Sequence, residues 1–245
     1  MKKMLVIGAT SAIAQEYVKL AAKFGHELFL VGRDTEKLKS IVGDVQVRFG
    51  LDIGFLSMDL DNLEEHKDMI AAARRKLGDI DEVLIAHGIL PVQKDAAGDT
   101  KQTQQLFHTN LLSVISCINE LLPYFKEQRA GKIAVITSVA GDRGRESNYI
   151  YGASKGALSA YLAGLGAQVI NDGIHIIDIK PGFVDTPMTR NLKKGLLFAT
   201  PSKVALDIYT AITKSKTVCY TPWFWYWIML VIKSIPESLF RRLKL

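Results

Sequence analysis

The sequence is poor in cysteine and contains no long apolar run. The two cysteines among its 245 residues, Cys117 and Cys219, are far apart, and neither has a second Cys or a His at the spacing of a metal site. This pattern argues against a disulfide framework or a zinc site and favours a reducing compartment, so we expect no bound metal. The longest apolar stretch, residues 223–232, is too short to cross a bilayer, which requires about 20 residues.

The chain is positively charged, but its composition is otherwise that of an ordinary globular domain. Its net charge is +6, and 48% of its residues are apolar, enough for a large core. Excess positive charge favours anionic partners such as a nucleotide phosphate or an acidic membrane surface. Because we find no nucleic-acid-binding motif, we expect no nucleic-acid partner.

Residues 1–14 imitate a secretory signal, since two lysines precede a short apolar stretch that ends in Ala-Ile-Ala. Cleavage there would remove the apolar run 4–7 and the glycine turn that follows it. We therefore expect this segment to be retained and the protein to be cytoplasmic, with peripheral contact to the inner face of the membrane as an open alternative.

Short apolar runs alternate with helical patterns along the chain. The runs lie at 4–7, 28–31, 53–58, 82–86, 132–137, 174–179 and 217–220, and the helical patterns at 11–24, 34–42, 61–77, 100–128, 149–170 and 202–213. The segment 45–51 fits either a helix or a strand. This alternation predicts an α/β fold, namely a single-domain, doubly wound (Rossmann) parallel sheet of about seven strands with helices on both faces.

The turn after the first apolar run reads Gly8-Ala-Thr-Ser-Ala12-Ile-Ala14 and opens a predicted helix. Backbone N–H groups and the helix dipole favour a phosphate at such a position, which lies at the ligand crevice of a doubly wound sheet. Arg33, after the second run, can hold the 2′-phosphate of NADP, whereas the adjacent Asp34 leaves NAD open. The alternative is a tight connection without a ligand, with Arg33 and Asp34 solvated at a helix start.

Ser138, Tyr151 and Lys155 follow the fifth apolar run. If Tyr151 opens a helix, Lys155 lies one turn further on the same face. Lowering a tyrosine pKa from about 10 to about 7 requires roughly 4 kcal/mol, at about 1.36 kcal/mol per unit. An ammonium about 4 Å away supplies about that much at an effective dielectric near 20. Together with the Ser138 hydroxyl, the pair has the parts for proton transfer to a carbonyl, although Tyr and Lys four apart also occur on ordinary solvated helices.

The glycine turn followed in order by Ser138, Tyr151 and Lys155 resembles the single-domain short-chain dehydrogenase/reductase family over about residues 4–220. The family's turn is Gly-x-x-x-Gly-x-Gly, and here alanine replaces the second and third glycines. At 85–88 the chain reads Ile-Ala-His-Gly where the family usually shows Asn-Asn-Ala-Gly. We interpret the histidine in that segment as a hydrogen-bonded structural residue, with cofactor contact as the alternative.

The resemblance implies reduction of a ketone with NADP(H), or alternatively NAD(H), as cofactor. Ser138 would bind the substrate oxygen, Tyr151 would protonate it, and Lys155 would lower the pKa of the phenol and hold the cofactor ribose. Asn110 matches the family's helix asparagine, which helps to carry a proton relay through water. The implied cofactor-binding residues are Gly8, Thr10, Ser11, Ala12, Ile13, Arg33, Asp59, Leu60, Ala86, Gly88, Tyr151, Lys155, Pro181, Gly182, Val184 and Thr186.

All three tryptophans lie in the apolar run 223–232, which precedes a basic carboxyl end. Aromatic rings beside cations favour a membrane interface. We therefore interpret 223–245 as a peripheral membrane or lipid-substrate contact, and packing at an oligomer interface or across the substrate cleft is the alternative. Within the family, 138–151 and 235–243 are similar to the decaprenylphosphoryl-2-ketoribose reductases, which reduce a lipid-linked keto-sugar.

The sequence therefore predicts an NAD(P)H-dependent oxidoreductase that reduces a small-molecule or lipid-linked ketone, a keto-sugar or similar amphiphile, to a secondary alcohol. We assign 1–220 to a dinucleotide-binding catalytic domain and 221–245 to an aromatic and basic segment of the same domain, and we expect a homo-oligomer. A 3-ketoacyl or hydroxysteroid-type reductase of the same family is the closest alternative. A non-catalytic, membrane-associated dinucleotide-binding protein is the other.

Overall fold

A computed structural model describes residues 1–91, 93–96 and 98–243, apart from the side chains of residues 94 and 95. The last two residues of the predicted basic tail, 244 and 245, therefore lie outside the described residues. Within the described part, seven strands form one sheet: β1 (Lys3–Ile7), β2 (Glu27–Gly32), β3 (Gly54–Ser57), β4 (Glu82–Ile85), β5 (Gly131–Ile136), β6 (Ile174–Pro181) and β7 (Val218–Thr221).

The sheet is parallel throughout and has the order β3-β2-β1-β4-β5-β6-β7. Each predicted apolar run contributes one strand, because a strand that is covered on both faces requires apolar side chains in both directions. The predicted doubly wound architecture is confirmed.

The helices connect successive strands or follow the last one. They are α1 (Ala12–Lys23), α2 (Thr35–Phe49), α3 (His66–Leu77), α4 (Gln93–Ala96), α5 (Thr100–Phe107), α6 (Ser113–Gln128), α7 (Tyr149–Val169), α8 (Pro201–Thr213), α9 (Phe224–Ser234) and α10 (Glu237–Phe240). The ambiguous segment 45–51 belongs mainly to α2. It is helical because Val45 continues the buried face of Leu38 and Ile41, and Gly50, with a φ of 69°, ends the helix.

Two cores lie on opposite faces of the sheet. Alternate β1 side chains separate to the two faces, with Met4 and Val6 on one and Leu5 and Ile7 on the other. The first face is covered by α1, α2 and α8, and the second by α3, α6 and α7. Helices on both faces leave the carboxyl edge of the strands as the open edge, where the loops gather.

The prediction of a single helix over 100–128 is wrong in one respect. A π-helical turn, His108–Leu112, separates α5 from α6. Such turns widen a helix locally and are frequent at functional sites. Here the turn contains Asn110, which is fully buried and bonds to both backbone polar groups of Ile89: the Ile89 N–H donates to Oδ1 (2.8 Å), and Nδ2 donates to the Ile89 carbonyl (2.9 Å).

The aromatic run predicted near the carboxyl end forms α9, which packs against the domain through one face. Trp225 and Met229 are buried against Val139, and Trp225 meets Phe183 edge-on at 5.4 Å between ring centroids. Arg143 holds the end of this segment, because it donates to the carbonyls of Ile232, in the last turn of α9, and Ile235, just after it, and lies 3.8 Å over the Phe240 ring. Among the described residues, no helix is long and apolar enough to cross a membrane.

Candidate active site

The strand order reverses between β1 and β4, and a crevice opens there at the carboxyl ends of the strands. It encloses about 850 Å³ and is lined by the segments at the carboxyl ends of β1 to β6. A volume of this size lies within the range of small-molecule and cofactor pockets, about 300–1,000 Å³.

The turn after β1 brings the start of α1 to the floor of this cleft. Gly8 has a φ of 81°, and a Cβ there would lie 2.5 Å from the His87 backbone nitrogen, so only glycine fits. Ser11 caps the helix by accepting from the Ala14 N–H at 3.2 Å. Ala12, the first residue of α1, lines the cleft at the position where the family pattern has its second glycine.

The end of β2 carries positive charge at the rim of the cleft. The Arg33 side chain is 78% exposed and lies 4.0 Å from an Asp59 carboxylate oxygen. Asp34 caps α2, because its carboxylate accepts from the Lys37 N–H at 3.0 Å. This capping is the structural role that the sequence left open for Asp34. Arg33 and Lys37 line this edge of the cleft together with Asp34 and Asp59, so a ligand there meets both cations and carboxylates.

Ser138 lies at the end of β5, and α7 carries Tyr151 and Lys155 past it. The Ser138 hydroxyl oxygen accepts from the Ala140 N–H at 3.1 Å, so its own proton remains available for donation. Lys155 donates to the Ile136 carbonyl at 3.0 Å, which fixes its ammonium against the same strand. All three side chains line the cleft together with Gly8 and Arg33.

Three glycines allow α7 to approach the Ser138 turn this closely. A Cβ at Gly152 would lie 2.7 Å from the Ala140 carbonyl oxygen, and one at Gly156 would lie 2.8 Å from the Gly141 oxygen. A Cβ at Gly141 would in turn lie 2.7 Å from the Gly156 nitrogen. Our sequence reasoning missed these residues. The signal that could have found them is a pair of glycines four apart in a helix, beside the Tyr-x-x-x-Lys pattern.

The protonation states of Tyr151 and Lys155 differ from the sequence-based expectation. Burial raises the pKa of Tyr151 to about 12, and the contact with Ser138 lowers it only in part. Burial also lowers the pKa of Lys155 to about 8, partly offset by the negative charge of Asp178. The expectation that the ammonium would bring the phenol pKa near 7 was wrong here, because desolvation of the phenol dominates its pKa. At neutral pH, Tyr151 keeps its proton and Lys155 is mostly charged.

His87 has the hydrogen-bonded structural role that the sequence favoured for it, and it also lies at the cleft. Its Nε2 lies 3.0 Å from the Ser113 hydroxyl, which makes it a hydrogen-bonded structural residue, and its ring also lines the cleft. Burial and the charge of Lys155 lower the pKa of His87 to about 3, so the ring is neutral at pH 7. Its Nδ1 is buried and has no hydrogen-bond partner among the described residues.

Of the predicted site residues, Asn110 alone lies outside the lining of the cleft. It sits behind Gly88, where an added Cβ would be 2.9 Å from Asn110 Oδ1, and it holds the segment after β4 in place. The other predicted residues line one cleft: Gly8, Thr10, Ser11, Ala12, Ile13, Arg33, Asp59, Leu60, Ala86, Gly88, Ser138, Tyr151, Lys155, Pro181, Gly182, Val184 and Thr186.

The cleft suits an extended dinucleotide. It runs from the rim at Arg33, past the Gly8 turn, to Ser138 and Tyr151. Asp61, which the sequence analysis missed, lines it with a buried Oδ1 that has no partner among the described residues, so a hydrogen-bond donor is needed there. The described residues contain no cluster of His, Cys, Asp or Glu that could hold a metal ion.

A doubly wound parallel sheet with a glycine turn where the strand order reverses is the architecture of dinucleotide-binding α/β proteins. A model of the family described as short chain dehydrogenase matches residues 2–196 of this chain. The chain therefore belongs to the short-chain dehydrogenase family. This membership confirms the predicted class of enzyme, an NAD(P)-dependent oxidoreductase.

Curated relatives match the chain over nearly its whole length. An uncharacterised oxidoreductase of Mycobacterium tuberculosis is 26% identical over 240 residues, covering 98% of this chain and 96% of the relative. An uncharacterised oxidoreductase of Streptomyces coelicolor is 27% identical over 243 residues, covering 99% and 96%.

Solved structures share the fold. A variant of actinorhodin polyketide ketoreductase crystallised with NADPH has a TM-score of 0.80 at 21% identity, covering 90% of this chain and 95% of that chain. A short chain dehydrogenase/reductase family protein has a TM-score of 0.79 at 25% identity, covering 90% and 97%.

Proposed function

We propose that this protein reduces a ketone to a secondary alcohol with NADPH, through Ser138, Tyr151 and Lys155. The observation that carries the proposal is that these three side chains line the same cleft as the Gly8 turn and Arg33. A phenol, an ammonium and a hydroxyl at the reacting end of a dinucleotide cleft are the groups that carbonyl reduction requires.

Each side chain has a distinct task in this proposal. When bound, a reduced nicotinamide supplies the hydride for the carbonyl carbon. The Ser138 hydroxyl donates a hydrogen bond to the carbonyl oxygen, and Tyr151 transfers its phenolic proton to that oxygen. Because burial raises the pKa of Tyr151 to about 12, the phenol is protonated at neutral pH and ready to act as the acid. Lys155 places a positive charge beside the phenolate that remains.

Asn110 acts from behind the cleft in this proposal. Its side chain is committed to both backbone groups of Ile89, so it orders the segment that carries His87 and Gly88. The proton relay implied by the resemblance would use water near this asparagine. It stays a prediction.

NADPH is the cofactor we favour over NADH. Arg33 and Lys37 line the cleft, where an arginine can hold a 2′-phosphate, and one oxygen of the Asp34 carboxylate already accepts from the Lys37 N–H at the start of α2. The actinorhodin ketoreductase with the same fold was crystallised with NADPH, in agreement with this choice.

For the substrate we propose a lipid-linked keto-sugar or a similar amphiphile. The similarity of 138–151 and 235–243 to the decaprenylphosphoryl-2-ketoribose reductases supports this substrate class. A second support is the outer face of α9, whose side chains are exposed large apolar groups: Trp223, Tyr226, Trp227, Leu230 and Val231. Exposed cations follow it at Lys233, Arg241 and Arg242. Such a surface suits peripheral contact with an anionic membrane.

The reductase proposal is tested by NADPH oxidation with a panel of keto-lipids, keto-sugars and 3-ketoacyl compounds, using wild type and Tyr151→Phe. Loss of the proton donor is expected to lower kcat by roughly 10²–10⁴-fold, with the Kd for NADPH unchanged. Tyr149→Phe removes a hydroxyl two residues away and is the matched control. An unchanged kcat in Tyr151→Phe contradicts the assignment, and turnover of 3-ketoacyl compounds alone favours that narrower class.

The membrane contact is tested by flotation with anionic liposomes. Trp227, 58% exposed, contributes to the proposed contact, so Trp227→Ala is expected to reduce flotation without changing the Tm. Phe24→Ala removes a similarly exposed ring, 55%, from the end of α1 and serves as control. A wild-type protein that stays wholly in the aqueous fraction rules the contact out. Homo-oligomer formation remains a prediction for sedimentation analysis.

A further inference from the structure

One cation in the cleft has no role in the reaction just proposed. Arg145 lies in the loop between Ser138 and Tyr151, and its side chain lines the same cleft. Its Nη2 lies 3.3 Å from the Met229 sulfur, a weak acceptor, and its Nε is buried without a partner among the described residues. Arg145 is half-buried, so its guanidinium loses part of its hydration while the buried Nε–H donates to no described residue.

The neighbouring charged groups are already engaged with each other. The Asp142 carboxylate accepts from Lys180 Nζ at 2.5 Å and from the Tyr220 hydroxyl at 2.6 Å. It acts on Arg145 only at a distance, since it raises the arginine pKa while burial lowers it. Among the described residues, Arg145 forms no ion pair with a carboxylate.

Arg143, two residues earlier, is an arginine with a structural role and serves as a comparison. Its guanidinium donates to the carbonyls of Ile232 and Ile235 and to the Glu237 carboxylate, and it lies over an aromatic ring. Among the described residues, Arg145 has no comparable set of partners. Because a half-buried guanidinium without an ion pair has lost hydration without compensation, an anionic group bound in the cleft would stabilise it.

The surroundings of Arg145 indicate the kind of group. Asn148 lines the cleft beside it with a buried Oδ1 that has no partner in the described part of the chain, so a hydroxyl or amine could donate there. Phe183, which packs on the cluster containing Met229, supplies apolar lining near Arg145, and Met188 and Leu192 add to the apolar lining of the cleft. The site thus combines one cation, one acceptor and an apolar wall.

We propose that Arg145 binds an anionic group, a phosphate or a carboxylate, on the substrate. A guanidinium matches either anion through two parallel hydrogen bonds. The inference rests on the proposed function, in that it names the substrate class as ketones that carry a negative charge near the apolar wall. Arg145 is a specificity-determining residue and takes no part in proton transfer.

The test measures binding rather than turnover. Isothermal titration with octyl phosphate, octanoate and neutral octyl glucoside is made on protein saturated with NADP⁺, so that the Arg33 rim is already occupied. We expect an anionic probe to bind wild type and to lose about tenfold or more in affinity in Arg145→Gln. Octyl glucoside should bind both proteins alike. The ratio of phosphate to carboxylate affinity identifies the anion.

Two variants make the test decisive. Arg75→Gln removes the same charge from an exposed site on α3 and should bind the anions like wild type. Arg145→Lys keeps the charge without the planar fork and should bind with intermediate affinity, provided that its thermal unfolding matches wild type.

Anion binding that is unchanged in Arg145→Gln, or no anion binding to wild type, overturns the inference. Neither result depends on NADPH oxidation. A protein that reduces neutral ketones without binding the anions would refute the inference and leave the reductase proposal standing. Anion binding through Arg145 without any turnover of the ketone panel would support the anion site and contradict the reductase proposal.

Discussion

Replacing Asp178 by asparagine is expected to move the alkaline limit of ketone reduction to lower pH. Asp178 lies on β6 and is buried, with one carboxylate oxygen accepting from the Thr137 hydroxyl and the other 3.5 Å from Lys180 Nζ. Its negative charge raises the pKa of Lys155 against the larger, opposite effect of burial. Asparagine keeps an acceptor for Thr137 and removes only the charge, while Lys180 keeps its pairing with Asp142.

The size of the expected pH shift follows from the burial of Lys155, which is 3% exposed. Its pKa falls from 10.5 to about 8, and at about 1.36 kcal/mol per unit this fall means roughly 3 kcal/mol against the ammonium form. A nearby opposite charge typically shifts a pKa by about 1–3 units. Without Asp178, the pKa of Lys155 should therefore fall by at least about one unit, to 7 or below. The ammonium, roughly nine-tenths charged at pH 7 in wild type, would then be about half charged or less.

The assay is the pH profile of kcat/KM for ketone reduction, which reports groups of the free enzyme. Wild type should lose activity as the pH rises through about 8, because Lys155 loses its proton there. In Asp178→Asn this loss of activity on the alkaline side, the alkaline limb of the profile, should occur about one pH unit or more lower. Asp142→Asn removes a charge from the same buried group without acting on Lys155 and should leave the limb in place. An alkaline limb at the wild-type pH in a folded Asp178→Asn protein refutes the reasoning. An equal shift of that limb in both variants also refutes it.

Three further expectations concern the cofactor, the packing of α9 and the pH dependence of stability. Arg33→Ala should raise the KM for NADPH about tenfold at low salt and spare NADH, since it removes one charge-assisted contact; an equal effect on both cofactors contradicts the NADP assignment. Gly182→Ala places a Cβ 1.9 Å from the Trp225 indole and should lower Tm by roughly 2–10 °C, whereas Gly164→Ala, in open space, should not; equal melting curves exclude the clash. From pH 8 to 10.5, the unfolded chain binds more protons at Lys155 than the folded one, so denaturant titrations should show wild-type stability rising with pH relative to Lys155→Met.

The strands and the doubly wound order could be predicted because burial on both faces leaves a local pattern in the sequence. Each apolar run is a strand, and helix α2 ends at Gly50, a residue that favours the left-handed conformation found there. The π-helical turn could not be predicted in this way. It depends on the contact between Asn110 and Ile89, two residues far apart in the chain. Periodicity within one helix does not report such a contact.

The same distinction between local and long-range features applies to the candidate site. The order of Ser138, Tyr151 and Lys155 is a local signal, and the three side chains do meet in one cleft. Their pKa values are not a local property, because they depend on how much water the folded protein removes from each group. The spacing of Tyr151 and Lys155 indicated attraction between phenolate and ammonium, but it contained no information about desolvation. Arg145 was missed for the same reason, since only the fold shows that its Nε–H is buried without a partner among the described residues.

Burial acts on Tyr151 and Lys155 in opposite directions, and the two effects together favour reduction under the proposed function. Desolvation opposes the charged form of each group, so the phenol keeps its proton while the ammonium approaches neutrality near pH 8. Ketone reduction needs a protonated phenol at the start, whereas alcohol oxidation needs a phenolate. Asp178 then has a clear physical task, because it keeps Lys155 charged at neutral pH and so stabilises the phenolate that forms only after the proton has left.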